Sequence, residues 1–416
     1  MQRSTVHKIV CLDQGAHSIK VCIKNGNEIG KVHRVSTRAM RYSGKSNFIG
    51  ANKPNEILFG NDIPIHISSK QIGRCYSPYN DGYPVHIQLL ALLWNHVFSQ
   101  VLRIDPSHYT LVLSLPAFYP DKLAEAIDEI VFNIFKFRGL FYHPPAFYVA
   151  HLPTFKQHTG LVIDMGDSFT HITPVVKGLV VNHAIRRVSI GGGTLTALLG
   201  SQLAVRHFNM SDEPSLLTAI KENICFVSQD FQKDMDLARA GSPAHAITVQ
   251  LPNYMTVKEP IFYSHNSDNT PVDTDGEPLQ LNGQTFDATY ERFVIPEALF
   301  APQDHGVAQE GVAEATVDSL ACCPDDVIPA LLSQVVLTGG CALIPGMRER
   351  VQAELRALVP SDIPVVVRLP ASGPLDACAL GMATWAGCQE HTESQIVCDI
   401  YRGFGHGLTA RRMMIY

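Results

Sequence analysis

The chain has no Cys-x-x-Cys pair and no Cys/His comb, although ten cysteines are scattered through its 416 residues. That spacing excludes a structural zinc module and a thioredoxin-type redox motif, and reduced, unmetallated thiols are the expectation. Long apolar runs are also missing. Nothing approaches the roughly 18 residues needed to cross a bilayer, and Met1 to Lys8 lack the apolar centre of a secretory signal. A soluble cytosolic or nuclear chain with no membrane contact is therefore expected. Nor is there an excess of positive charge. With 33 basic against 39 acidic residues the formal net charge is −6, so no whole-chain field exists to hold a phosphate backbone by counterion release, and any nucleic-acid contact must be local.

What is present is apolar substance: 46% hydrophobic against 17% charged residues, too apolar for a disordered tail and long enough for roughly two to three domains. Short apolar runs at Ile9 to Leu12 and Ile19 to Ile23 predict two strands around the polar tip Asp13-Gln14-Gly15-Ala16-His17-Ser18. The design returns at Leu161 to Ile163 and Phe169 to Val176 around Asp164-Met165-Gly166-Asp167-Ser168. Asp13 then matches Asp164 and Gly15 matches Gly166, an offset of 151 that suits two copies of one domain and no solenoid. Between the hairpins, 3–4 spacing predicts helices over Ile87, Leu90, Trp94, Val97, Phe98 and Val101, and over Leu123, Ile127, Ile130, Val131 and Ile134. A strand from Thr110 to Leu115 separates them, so the class is α/β with mixed sheets flanked by helices. Two stretches lack this periodicity. Residues 36–77 read as a small appended lobe, and residues 264–285 as an exposed polar insertion.

A strand-Asp-x-Gly-turn-strand unit can aim backbone N–H groups at phosphate oxygens while its carboxylate faces a metal-bound water, and two facing copies can clamp a triphosphate with its cation. One copy alone is ordinarily a tight hairpin. A third element strengthens the reading: Val335-Val336-Leu337-Thr338 runs into Gly339 and Gly340, where backbone can approach a ligand closely. These residues resemble the actin superfamily. Asp13, Gly15 and Lys20 look like the first phosphate loop; Asp164, Gly166 and Asp167 with Thr170 and His171 look like the second. Thr338-Gly339-Gly340, with Leu343, Ile344, Pro345 and Gly346, looks like the adenosine motif. Arg187 and Gly192 fall where actins carry a matching Arg and a nucleotide-pocket Gly, and Lys221-Glu222 where a Lys-Glu pair brackets the adenosine.

The resemblance implies an actin-like fold of two similar halves, each with a smaller appended subdomain, around a cleft. The halves are expected at 1–154 plus 372–416, carrying the 36–77 lobe, and at 155–371, whose appended subdomain spans about 193–285. ATP or ADP with a divalent cation is the implied ligand, the cation reached through water from Asp13 and Asp164; an empty pocket is the alternative, and an Asx turn cap is the plain reading of each Asp. Within the superfamily, Asp167 to Pro174, Arg292 to Glu297 and Lys221 to Phe231, above all Ser228-Gln229 where ordinary actins have Ala-Leu, are most similar to the actin-related subtype found as nuclear subunits of SWR/SRCAP-type chromatin remodellers. Those complexes exchange a variant histone dimer into nucleosomes. The implied partners are other remodeller subunits and, through them, the nucleosome by histone or DNA. The implied address is the nucleus, with the cytoplasm also open.

Three departures argue against catalysis. Ala16 and His17 replace the Ser and Gly that serve the terminal phosphate, removing a hydroxyl and adding bulk. Alignment without gaps from Phe137 puts Phe147 where actins orient the attacking water with a Gln, and a phenyl ring cannot do that. No catalytic residue is assigned, and His171 is either a second group near the site or a structural histidine. A filament is disfavoured because Arg38 to Asn47 does not resemble the apolar loop that actin inserts into the next protomer. The non-catalytic subunit is thus the leading expectation, and a nucleotide-binding ATPase of weak or switch type the alternative. Blander readings cover the rest. Cys322-Cys323 marks a helix end, Arg348, Arg350 and Arg356 with Glu349 and Glu354 a solvated helix face, and residues 409–416 a frayed terminus or a docking tail.

Overall fold

The computed structural model describes residues 8–41, 57–63, 75–272, 276, 277, 279, 281 and 283–387, with the backbone of 396–397. The C-terminal segment 409–416 and most of the 36–77 lobe lie outside the described residues. Each predicted hairpin forms. Strands β1 (Lys8–Gln14) and β2 (Ser18–Asn25) pair antiparallel, and β1 continues in parallel to β3 (Thr110–Ser114) and onward to β4 (Gly139–His143). The second sheet repeats the arrangement. Strands β5 (Gly160–Met165) and β6 (Thr170–Val176) pair antiparallel, and β5 continues in parallel to β7 (Val335–Thr338) and then β8 (Val367–Arg368). The repeat seen as two hairpins in sequence is thus a repeat of four strands in the same order.

Both faces of each sheet are buried, which explains the nearly continuous apolar strands. Alternation along β1 sends Val10 and Leu12 into one core and Ile9 and Cys11 into another; along β5, Leu161, Ile163 and Met165 part from Val162 in the same way. The core holding Ile9, Cys11, Val162 and Val336 is shared between the sheets, and helices α3 (Pro145–Val149) and α7 (Ala377–Trp385) are packed within it. Each outer core is covered by its own helices. Over the first sheet lie α1 (Ile87–His96) and α2 (Asp121–Glu129), with Trp94, Phe98, Phe132 and Phe137 fully buried, each contributing on the order of 1.5–3 kcal/mol. Over the second lie α4 (Gly192–Arg206), α5 (Pro214–Ile224) and α6 (Met347–Leu358). Both helices predicted beside the first sheet end differently from expectation: α1 and α2 each widen into a π turn, Val97–Val101 and Ile130–Ile134. The apolar spacing persists through the wider turn, so periodicity alone does not mark the change.

The described residues of the small lobe include a three-stranded sheet. Ala39–Arg41 pairs with Ile57–Phe59 and Cys75–Tyr76, burying Ala39, Met40 and Leu58. The polar insertion leaves from one edge of a three-stranded sheet, Ile261–Ser264, Ile247–Gln250 and Thr285–Ala288; residues 273–275, 278, 280 and 282 within it lie outside the described residues. The charged face of α6 differs from expectation. Arg350 binds Glu297 at 2.7 Å and Glu354 at 2.5 Å with its guanidinium over Phe300, and Arg356 donates to the carbonyls of Val359, Pro360 and Ile363. Only Arg348 and Glu349 form an exposed pair. Cys322-Cys323 does follow a helix end, after Val312–Leu320. Among the described residues no helix is long and apolar enough to cross a membrane.

Candidate functional site

The two hairpin tips face each other, and each Asp is held by a hydroxyl from the strand beside it. In the first, β1–β3 register sets Asp13 opposite Ser114, whose Oγ donates to Asp13 Oδ1 at 2.7 Å while accepting from the Gln14 amide at 2.9 Å. In the second, β5–β7 register sets Asp164 opposite Thr338, whose Oγ1 donates to Asp164 Oδ1 at 3.3 Å. Each bond occupies one oxygen of its carboxylate. Ser114 was missed in the sequence; the signal was a lone hydroxyl ending an apolar strand, as Thr338 does. The antiparallel partners complete the pattern. Lys20 lies opposite Asp13, with Nζ 3.8 Å from Oδ2, and His171 lies opposite Asp164.

Two carboxylates facing one another raise each other's cost of ionisation. Burial, and then the Asp13 charge, push the Asp164 carboxyl up to about 6, against opposing pulls from Lys20 and the Thr338 hydroxyl. His171 is buried on β6. Desolvation and the neighbouring Arg187 lower its imidazole to about 3, so it is neutral at physiological pH, and its Nε2 has no hydrogen-bond partner among the described residues. Burial raises the Cys341 thiol to about 12, and its Sγ donates to the Gly166 carbonyl at 3.4 Å.

Glycines let the loops close in. At Gly339, with φ +86°, a Cβ would lie 2.3 Å from the Met165 carbonyl oxygen and 2.9 Å from Asp164 Oδ1, so only glycine fits. At Gly15 a Cβ would lie 2.7 Å from the Ser18 carbonyl oxygen. The second tip is stitched to the start of α4: the Gly192 amide donates to the Gly166 carbonyl at 3.0 Å, and the Gly193 amide to the Asp167 carbonyl at 2.7 Å. Lys221 on α5 is buried and occupied, donating to the Gly192 carbonyl at 2.7 Å and Thr196 Oγ1 at 2.9 Å. It braces the pocket wall, whereas the next residue, Glu222, is exposed. Gly340 and Leu343 are exposed, Leu343 at 52%, and Ile344 is half-buried. An exposed leucine beside a glycine pair leaves an apolar face open to a flat ring.

The departures sit in unequal places. His17 reaches from the first tip toward the second, its Nδ1 3.8 Å from Asp167 Oδ1, and Ala16 offers no hydroxyl. Phe147 lies elsewhere. Its ring stacks on His143 at 4.0 Å and packs against Tyr148, His151 and Trp385. None of these ring contacts is to either tip, because α3 turns that face toward α7 in the shared core. Burial lowers the stacked His143 imidazole to about 4. Among the described residues, no group of three or more His, Cys, Asp or Glu is arranged to hold a metal ion, so Asp13 and Asp164 offer a cation only a carboxylate pair to be reached through its water shell. A separate cavity of about 440 Å³ touches neither tip and is lined by Lys31, His33, Arg34, Asn61, His96 and Asp376, among others.

Two four-strand repeats, helices packed between and outside them, and paired Asp-x-Gly tips at the cleft define the actin fold. The family model described as Actin matches residues 5–414, and the chain belongs to the actin family. It is similar to "Actin-related protein 6" of Arabidopsis thaliana, 34% identical over 326 residues covering 73% of this chain and 76% of that protein. The protein of the same name from Drosophila melanogaster is 31% identical over 375 residues, covering 87% and 89%. "Actin-like protein ARP6" of Yarrowia lipolytica is 32% identical over 338 residues, covering 79% and 84%.

Proposed function

We propose that this actin-related chain is a non-catalytic structural subunit of a nuclear chromatin-remodelling complex of the SWR/SRCAP type, which exchanges a variant histone dimer into nucleosomes. The similarity to proteins named Actin-related protein 6 across plant, insect and fungus supports the assignment, as does the diagnostic Ser228-Gln229. Residues 1–154 with 372–416 form one half in this reading, and 155–371 the other. Its partners are other subunits of the remodeller, and it meets the nucleosome through them.

One observation carries the non-catalytic part. The His17 imidazole stands 3.8 Å from Asp167 between the two tips, where a triphosphate would need close backbone approach, and Ala16 supplies no hydroxyl to replace the lost contact. The purified chain should release no phosphate from Mg-ATP above background. Turnover that survives purification and disappears in Asp164→Ala would refute this. Affinity purification of tagged chain from nuclear extract tests the subunit assignment; recovery without any remodeller subunit would sink it.

The retained glycine cradle favours a second reading, a nucleotide-binding member of weak or switch type. Gly15, Gly166, Lys20 and Gly192 suit phosphates, and Gly339, Gly340, Leu343 and Ile344 suit an adenosine, with Glu222 at its edge. A bound ATP or ADP would bring negative charge that Lys20 offsets, and its cation would ease the repulsion between Asp13 and Asp164. Extraction and chromatography of nucleotide from the chain, alone and in its complex, separates the readings.

A further inference from the structure

The hairpin Tyr79–Asn80 and Tyr83–Pro84 makes a tight turn at Asp81 and Gly82, both with positive φ. Through Tyr79 it packs on the outer core of the first sheet. At its turn it meets the second half. A Cβ on Gly82 would lie 2.2 Å from Cε1 of Phe169, so the Phe169 ring seats directly on glycine backbone. The Tyr83 ring lies 6.0 Å from Phe169 between centroids. Arg187, on the strand Arg186–Val188 that pairs with β6, closes the group. Its guanidinium carbon stands 4.2 Å from the Phe169 ring centre and 5.6 Å from that of Tyr83, and its Nη1 donates to the Tyr83 hydroxyl at 2.9 Å. A cation set against the faces of two neighbouring rings from opposite halves is a directional contact as well as an apolar one.

Further side-chain contacts span the same gap, among them the Phe118 and His171 rings, 6.1 Å apart between centroids. His17 faces Asp167 at 3.8 Å, and Arg38, at the start of the small lobe, donates to the hydroxyl of Ser215 in the first turn of α5. We propose that the chain holds its own cleft closed, with Tyr83, Phe169 and Arg187 as the principal clasp, so that closure requires no ligand. The cleft of a scaffold built this way does not report nucleotide state, since a ligand can shift an equilibrium only by its differential affinity for the two states. When protein contacts already populate the closed state, little shift remains for a ligand to make.

Hydrogen–deuterium exchange of the full chain, with and without saturating Mg-ADP as probe, tests this. In the wild type, amides at both tips should exchange slowly without nucleotide, and Mg-ADP should change them less than about twofold. Phe169→Ala should speed exchange at both tips by about tenfold or more while amides within β1 and β5 keep their protection. Two milder variants guard against simple misfolding. Tyr83→Phe keeps the ring but removes the acceptor of the Arg187 bond, and Arg187→Lys keeps the charge but loses the planar stack; each should speed the tips by about threefold. Fast tip exchange in the wild type that nucleotide slows by more than about tenfold would overturn the proposal. So would tip exchange unchanged in both Tyr83→Phe and Arg187→Lys. Nucleotide recovered by extraction bears on the nucleotide-binding reading and leaves this test independent.

Discussion

Replacing Asp164 with Asn should stabilise the nucleotide-free chain, and the pH dependence of the gain identifies its cause. Burial, and then the facing Asp13, push the carboxyl from 3.8 to about 6, so the folded state resists its ionisation. For an acid with a raised folded pKa, stability is fully present below the unfolded value and is lost as pH rises through the folded one. That window runs from about 3.8 to about 6. At about 1.4 kcal/mol per unit the upper bound on the penalty above it is about 3 kcal/mol. Asp164 is not wholly shut off from solvent, and screening reduces the figure to about 1–2 kcal/mol. Asn keeps an oxygen to accept from the Thr338 hydroxyl, so the swap removes charge and little else. For a chain of this length each kcal/mol moves the melting temperature by about 1 °C. Thermal melts across the window should show Asp164→Asn equal to wild type near the acidic end and about 1–2 °C higher above pH 6. Adding Mg²⁺ should raise the wild type alone and narrow the gap. An Asn variant that melts lower than wild type by the same amount at every pH would refute the reasoning, since the carboxylate would then be a stabilised charge.

Lys221→Met should cost about 1–3 kcal/mol in chemical denaturation, because it strips the donors from the Gly192 carbonyl and Thr196 Oγ1; the exposed neighbour variant Glu222→Gln should stay within about 0.5 kcal/mol, and equal effects would show that Lys221 does not brace the wall. The protein alone should remain in the supernatant when centrifuged in Mg²⁺ and salt, and a pelleted, ordered filament would restore the cytoskeletal reading. Replacing residues 266–283 with a short Gly/Ser linker should leave the melting temperature nearly unchanged, because closure entropy grows slowly with loop length, while weakening co-purification with remodeller subunits; a stable variant that still enters the complex stoichiometrically would make the insertion a passive loop, and an unfolded one would make it core.

The sequence by itself determined the parts of this protein that depend on near neighbours. Short apolar runs on either side of an Asp-x-Gly tip specify a hairpin, so the two copies at Asp13 and Asp164 and their offset were legible without coordinates. Gly339 was legible too, since a pair of glycines ending an apolar strand has few other uses. Tertiary structure alone decided the matters that turn on register and side-chain direction. Ser114 reaches Asp13 only because β3 lies beside β1 in one particular register, across 101 residues of chain. Phe147 looked like a cleft residue by its number, but the turn of α3 sends its ring into the stack on His143. Lys221 looked like a ligand group, and folding uses its ammonium on a carbonyl and a hydroxyl of α4. His17 read as bulk in one loop and becomes a contact across the cleft once the halves face each other. A pattern along the chain records which face a residue takes in its own element, but its partner across the fold is set by packing between segments that the pattern does not connect.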